Sequence, residues 1–228
     1  MKAERSIKLA LFDLDGTLTR EKSAWEYIHR RLGVWDGYAD QFQEAFLRKE
    51  ISYERFCQLD AAIWKGLKAS TVQQILMDIP VYRGIEEFLG YLRSKGIRLG
   101  IISSGLSLLA DWVAGRYFFD FAVANELGVE NDVLNGEIKI NVHCDRKGEW
   151  VEKARRRFHT SREEILAVGD SVGDKAMFQM AELSIAFNSL SPQLESVATF
   201  SIRSEDLRDL IPPLIPHLGP ADGGGNSV

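Results

Sequence analysis

Cysteine is nearly absent: the 228 residues hold two, Cys57 and Cys144. They lie far apart and without the short spacing of a metal-binding pair, which excludes a disulfide framework and points to a reducing compartment. Basic charge is not in excess either. Against 28 Lys and Arg stand 33 Asp and Glu, a net charge of −5, so no nucleic-acid-binding or membrane-binding surface is expected. Long hydrophobic runs are missing, since no uncharged apolar stretch reaches the about 20 residues that span a bilayer. The start, Met1-Lys2-Ala3-Glu4-Arg5, has no apolar signal core, and a cytoplasmic protein is expected. There is no internal repeat. What remains is ordinary globular material, 45% hydrophobic and 27% charged, enough for one large domain or a domain with a small insert. Residues 219–228, polar and Gly-rich toward the end, are expected to be disordered.

The chain is organised around Leu9-Ala10-Leu11-Phe12-Asp13-Leu14-Asp15-Gly16-Thr17-Leu18-Thr19. Ile7 to Phe12 is short, apolar and bounded by polar residues, which predicts a buried strand. In an open α/β sheet, ligands gather at the carboxyl ends of strands, where Asp13 and Asp15 would sit. Residues i and i+2 of an extended chain face the same way. Two carboxylates that close repel unless a cation lies between them or one keeps a proton. An Asp-Gly turn accounts for Asp15 and Gly16 and leaves Asp13 without a reason.

From Ser23 to Ile79 the pattern is helical, with no strand-like run. Trp25, Ile28 and Leu32 share one face, and Tyr38, Phe42, Ala45 and Phe46 a second. Ser52 and Ser70 read as N-caps of two further helices, and Pro80 closes the block. Four helices over residues 20–79 bury only a modest core of their own and are expected to dock on the rest. Beyond Pro80, strands and helices alternate, which implies a largely parallel sheet with right-handed crossovers. Asn135-Gly136, between two apolar pieces, reads as a hairpin turn. Thr199 to Ile202 reads as an edge strand.

Three further segments fall at strand ends or helix starts. Ser103-Ser104-Gly105 is a candidate phosphate cradle or an ordinary N-cap. Lys147 stands in a first helical turn, where an ammonium opposes the helix dipole unless an anion lies close by. Gly169-Asp170-Ser171-Val172-Gly173-Asp174 carries two more acids after an apolar strand. Carboxylate, hydroxyl, ammonium and carboxylate at successive strand ends suit Mg²⁺ and a phosphoryl group.

In order and spacing these segments resemble the four motifs of the haloacid dehalogenase-like phosphatase superfamily, over residues 7 to 215. The helical insert is similar to the cap of its phosphoserine phosphatase-like branch. The resemblance implies an α/β fold: a Rossmann-like core, residues 1–19 and 80–218, with a small four-helix cap, residues 20–79, inserted after the first strand. It implies an Mg²⁺-dependent phosphomonoester hydrolase acting on a small phosphorylated metabolite. Asp13 would be the nucleophile that forms an aspartyl-phosphate, and Asp15 the general acid and then base. Asp13, the Asp15 carbonyl and Asp170 would hold Mg²⁺, with Asp174 binding through water or positioning its loop. Ser103, the Ser104 N–H and Lys147 would neutralise the phosphoryl oxygens. The chain departs from the phosphoserine pattern at three positions: Lys22 stands where a cap-hinge glutamate is usual, Asp60 where a cap arginine is usual, and Gly173 where an asparagine is usual. Tyr53, Cys57, Asp60 and Trp64 share one helical face. If that face borders the site, with Trp25 as a further lining residue, Lys22 and Asp60 argue for a substrate other than phosphoserine, without a carboxylate beside its phosphate. The alternatives are a phosphotransferase or phosphomutase on the same fold, or phosphoserine phosphatase itself.

Overall fold

A computed structural model describes residues 6–218; the tail expected to be disordered, 219–228, lies outside them. The first strand, β1 (Leu9–Phe12), leads into α1 (Ala24–Arg31), a π-helical turn at Trp35–Ala39, α2 (Asp40–Leu47), α3 (Tyr53–Ile63) and α4 (Ala69–Met77). Alternation follows: α5 (Ile85–Ser94), β2 (Arg98–Leu106), α6 (Ser107–Tyr117), β3 (Phe121–Glu130), β4 (Val133–Lys139), α7 (Gly148–Arg157), β5 (Ile165–Gly169), α8 (Lys175–Gln179) and β6 (Leu183–Phe187). The short pieces α9 (Pro192–Glu195), β7 (Phe200–Ile202) and α10 (Ile211–Leu214) complete the described chain.

The seven strands form one sheet in the order β4-β3-β2-β1-β5-β6-β7. All neighbours are parallel except β3 and β4. The central strand β1 is buried on both faces: Leu9 and Leu11 point into one hydrophobic cluster, Ala10 and Phe12 into the other. That is why its sequence is a continuous apolar run rather than an alternating one. Side chains of α5 and α6 cover the Ala10 and Phe12 face, and those of α7 and α8 the other. The two chain crossings at Thr19 and Val81 run antiparallel, with Arg20 N–H donating to the Pro80 carbonyl and Tyr82 N–H to that of Leu18.

Three local expectations are corrected. The β3–β4 hairpin turns at Asn131 and Asp132, both at positive φ (49° and 64°), whereas Asn135 and Gly136 lie inside β4 at a register shift. Consecutive positive φ values suit the twist of a tight hairpin, and Gly136 (φ 84°) makes a bulge instead. Ser70 is the second residue of α4 and not its cap; its N–H and hydroxyl donate to the Asp132 carboxylate, so the hairpin caps the helix from outside. Ser103 is no N-cap, because β2 continues to Leu106 with a bulge after Ile102 and α6 begins at Ser107.

Phe88 on α5 is fully buried and meets Phe12 edge-on, ring centroids 6.1 Å apart. Phe88→Ala is expected to cost about 3–5 kcal/mol of unfolding free energy in a urea titration. A loss near zero would show that this face of β1 does not depend on α5.

Candidate active site

Asp13 leaves the end of β1, its N–H still bonded to the Val168 carbonyl of β5 (2.9 Å). Its Oδ1 accepts from the Lys147 ammonium at 2.8 Å, and the same Nζ donates to Asp174 Oδ1 at 2.6 Å. Lys147 is itself buried. Burial alone would pull its ammonium toward neutrality, but the charges of Asp13 and Asp174 outweigh that and hold it above its ordinary value. The first-turn lysine, unfavourable to the helix dipole, therefore has its two anions.

Asp174 accepts with its other oxygen from the N–H groups of Asp170 and Ser171, both at 3.0 Å. Both its oxygens are thus already engaged, one by Lys147 and the other by the loop after β5. Asp170 receives Lys22 Nζ on Oδ2 at 2.7 Å. Asp15 Oδ1 is buried with no hydrogen-bond partner. Burial, then the Asp174 charge, pushes Asp13 well above the usual carboxylate range, with Lys147 opposing. Burial and the Asp170 charge raise Asp15 to about 7. Asp170 is raised by burial and by Asp174. Gly16 (φ 76°) makes the turn between these acids, and a Cβ there would lie 2.5 Å from Asp170 Oδ2.

Ser103 Oγ accepts from the Gly105 N–H at 2.9 Å and shapes the bulge of β2. The Ser104 carbonyl accepts from the Tyr53 hydroxyl (2.8 Å) and from Asn125 Nδ2 (2.9 Å). These bonds tie α3 to the bulged end of β2.

A recess of about 190 Å³ opens over Asp13, Asp15 and Asp170, on the scale of a small metabolite. Ser104 and Gly105 form one side and Trp25, Phe46, Tyr53, Phe56 and Cys144 another; Lys22 is the one cation among the described lining residues. Of the four cap residues singled out from sequence, Lys22, Trp25 and Tyr53 line the recess and Asp60 does not. Asp60 is buried inside the helical insert, Oδ1 3.4 Å from His29 Nε2. Burial raises its carboxyl, with His29 opposing. His29 accepts in turn from Trp64 Nε1 at 3.2 Å, and Trp64 stacks on Trp25 at 5.3 Å. The first turn of α3 borders the recess with Tyr53 and Phe56, while Asp60, two turns further along, does not. Sequence reasoning also missed Asn125 and Cys144. Asn125 had no visible signal, because its partners lie 72 and 21 residues away in the chain.

Asp13, Asp170 and Asp174 each offer an oxygen within 4.8 Å of the others. Buried and oxygen-only, with the orphaned Asp15 Oδ1 close by, this set suits a hard divalent cation such as Mg²⁺. The arrangement sets a buried carboxylate, a second carboxyl raised to about 7 and a buried ammonium beside one recess.

A haloacid dehalogenase-like hydrolase family model matches residues 10–179. The chain is 31% identical over 204 residues to a phosphoserine phosphatase of Archaeoglobus fulgidus, covering 89% of this chain and 58% of that protein. It is 30% identical over 209 residues to that of Methanocaldococcus jannaschii, covering 91% and 98%. Among solved structures, a substrate-bound phosphoserine phosphatase superposes with a TM-score of 0.80 at 26% identity, over 95% of this chain and 100% of that one. A phospho-aspartyl intermediate analogue of phosphoserine phosphatase gives 0.80 at 26%, over 94% and 100%.

Gly173 packs against the neighbouring loop, and a Cβ there would lie 2.6 Å from the Cys144 carbonyl oxygen. Gly173→Ala is expected to lower stability by about 1–3 kcal/mol and to reduce turnover through the displaced acid loop. Unchanged melting and kinetics would show that the loop absorbs the methyl group freely.

Proposed function

This chain belongs to the haloacid dehalogenase-like hydrolase family and is a phosphatase of its phosphoserine phosphatase-like branch, and from that premise we propose that it is an Mg²⁺-dependent phosphomonoester hydrolase working through an aspartyl-phosphate on Asp13. The observation that carries this is the Asp13 carboxylate, fixed by Lys147 at the floor of a recess beside Asp15, whose Oδ1 is buried without a partner.

Asp13 attacks phosphorus while Asp15, raised to about 7 and so able to carry a proton near neutral pH, gives that proton to the departing alkoxide. Asp15 then takes a proton from the water that hydrolyses the acyl phosphate. Lys147, Ser103 and the backbone N–H of Ser104 face the charge on the equatorial oxygens. Asp13, Asp170 and the Asp15 carbonyl would hold Mg²⁺, which supplies neutralising charge for the phosphoryl group. Asp174 orients Asp170 through the loop rather than binding directly. The aromatic side of the recess excludes water during transfer.

We further propose a small phosphomonoester other than phosphoserine, with an apolar or hydroxylated leaving group. Lys22 borders the recess, so a substrate ammonium meets like charge in a partly desolvated site. Trp25, Phe46 and Phe56 offer apolar surface to the leaving group. Asp60 lies inside the insert and repels nothing in the recess. The preference against phosphoserine therefore follows from its ammonium group, not from its carboxylate.

Asp13→Asn is expected to abolish turnover with the fold retained, and excess chelator to abolish it in the wild type until Mg²⁺ is returned. Full activity in either case would overturn the mechanism. In steady-state kinetics, L-phosphoserine is expected to show a kcat/KM at least about tenfold below that of aryl or polyol phosphates, from like-charge rejection. Lys22→Glu should narrow the gap. Phosphoserine as the best substrate of the panel would refute this reading of Lys22.

A further inference from the structure

The loop between β4 and α7 carries a second cluster of metal-type ligands at the edge of the recess. We propose that His143, Cys144 and Asp145 bind one borderline-soft divalent cation of the zinc type, separate from the carboxylate centre. His143 Nδ1 lies 3.9 Å from Cys144 Sγ and 2.5 Å from Asp145 Oδ1. One ligand atom from each of the three falls within 4.8 Å of the others. Metal–ligand lengths of about 2.0–2.3 Å place tetrahedral ligands roughly 3–4 Å apart. The imidazole and the thiol already stand at that separation. The Asp145 carboxylate, with its side chain 73% exposed, is free to swing outward and open the third position. The short Nδ1–Oδ1 contact requires a proton on Nδ1; the cation takes that proton's place and also displaces the proton of the Cys144 thiol, which burial holds up to about 11, so both protons pass to solvent on binding.

An independent feature supports ligation. Glu54 Oε1, from α3, lies 3.3 Å from His143 Nε2. A carboxylate on the far ring nitrogen is the arrangement that fixes the tautomer and orientation of a metal-ligating histidine. Tyr53 packs edge-on against the same imidazole, ring centroids 4.7 Å apart. Arg146 lies 3.7 Å from Glu54 Oε1 and 3.9 Å from Asp145 Oδ1, where it offsets the remaining negative charge.

Ligand type keeps the two centres apart. Nitrogen and sulfur donors select zinc-like ions, whereas the all-oxygen set of Asp13 and Asp170 selects Mg²⁺. Because Cys144 lines the recess, a cation held there sits in its wall and couples occupancy to substrate entry.

Co²⁺ titration of the full chain in saturating Mg²⁺ tests the site without any turnover, so its outcome is independent of the phosphatase mechanism. A thiolate-to-cobalt charge-transfer band saturating at one ion per chain is expected. Cys144→Ser should abolish it and Cys57→Ser should leave it. Glu54→Gln, on a partly exposed side chain, should weaken Co²⁺ binding by about 10–100-fold. Absence of the band in folded wild-type protein, its survival in Cys144→Ser, or undiminished affinity in Glu54→Gln would overturn the proposal.

Discussion

The buried Lys147 ammonium, caught between Asp13 and Asp174, is the interaction on which the rest of the site depends. Taking an unpaired ammonium out of water costs several kcal/mol. It is tolerable here because two carboxylates share one Nζ at hydrogen-bond distance. Three segments distant in sequence are fixed by that one group: the end of β1, the start of α7 and the loop after β5. The effect travels one step further. Asp174 uses its second oxygen to hold the N–H groups of Asp170 and Ser171, so the position of Asp170 is set through the ion pair.

The same cluster is left unbalanced in charge. Asp13, Asp15, Asp170 and Asp174 face Lys147 and the half-exposed Lys22. Burial and mutual repulsion answer this by raising Asp13, Asp15 and Asp170 above the usual carboxylate range. Such a cluster retains protons or attracts a cation, and both serve phosphoryl transfer. In the proposed mechanism a proton on Asp15 would go to the leaving alkoxide, and a dication held by Asp13 and Asp170 would offset the charge of the phosphate. The stability of the fold and the chemistry of the site thus draw on one electrostatic arrangement.

What was legible in the sequence was what short spacing encodes. The apolar run into Asp13-Leu14-Asp15, the strand before Asp170 and the lysine opening α7 are each local, and the parallel sheet brings their ends together. The hairpin shows the limit of local signals. Asn135-Gly136 is a strong turn dipeptide, but the pairing of β4 against β3 and against the Leu67 backbone places the turn at Asn131-Asp132. Likewise Ser103 follows an apolar strand and precedes a helix, the setting of an N-cap, yet β2 extends through it. There its hydroxyl bends the strand around the Asp15 side chain.

Asp60 marks a different limit. Helical periodicity groups residues on a face without saying what that face meets. In α3, Tyr53 and Phe56 border the recess, while Cys57, Asp60 and, just past the helix end, Trp64 pack into the insert. A carboxylate can be buried there only beside a partner, and His29 supplies one from α1, a contact no sequence pattern announces. Orientation is instead set by the bond from the Tyr53 hydroxyl to the Ser104 carbonyl, reinforced by Asn125. Once Tyr53 is tied to β2, Asp60 lies on nearly the same face but two turns further on, roughly 10 Å along the axis, which carries it past the recess and into the insert. A bond between the aromatic wall and the bulge of β2 therefore decides both which side chains border the recess and which stay inside the insert.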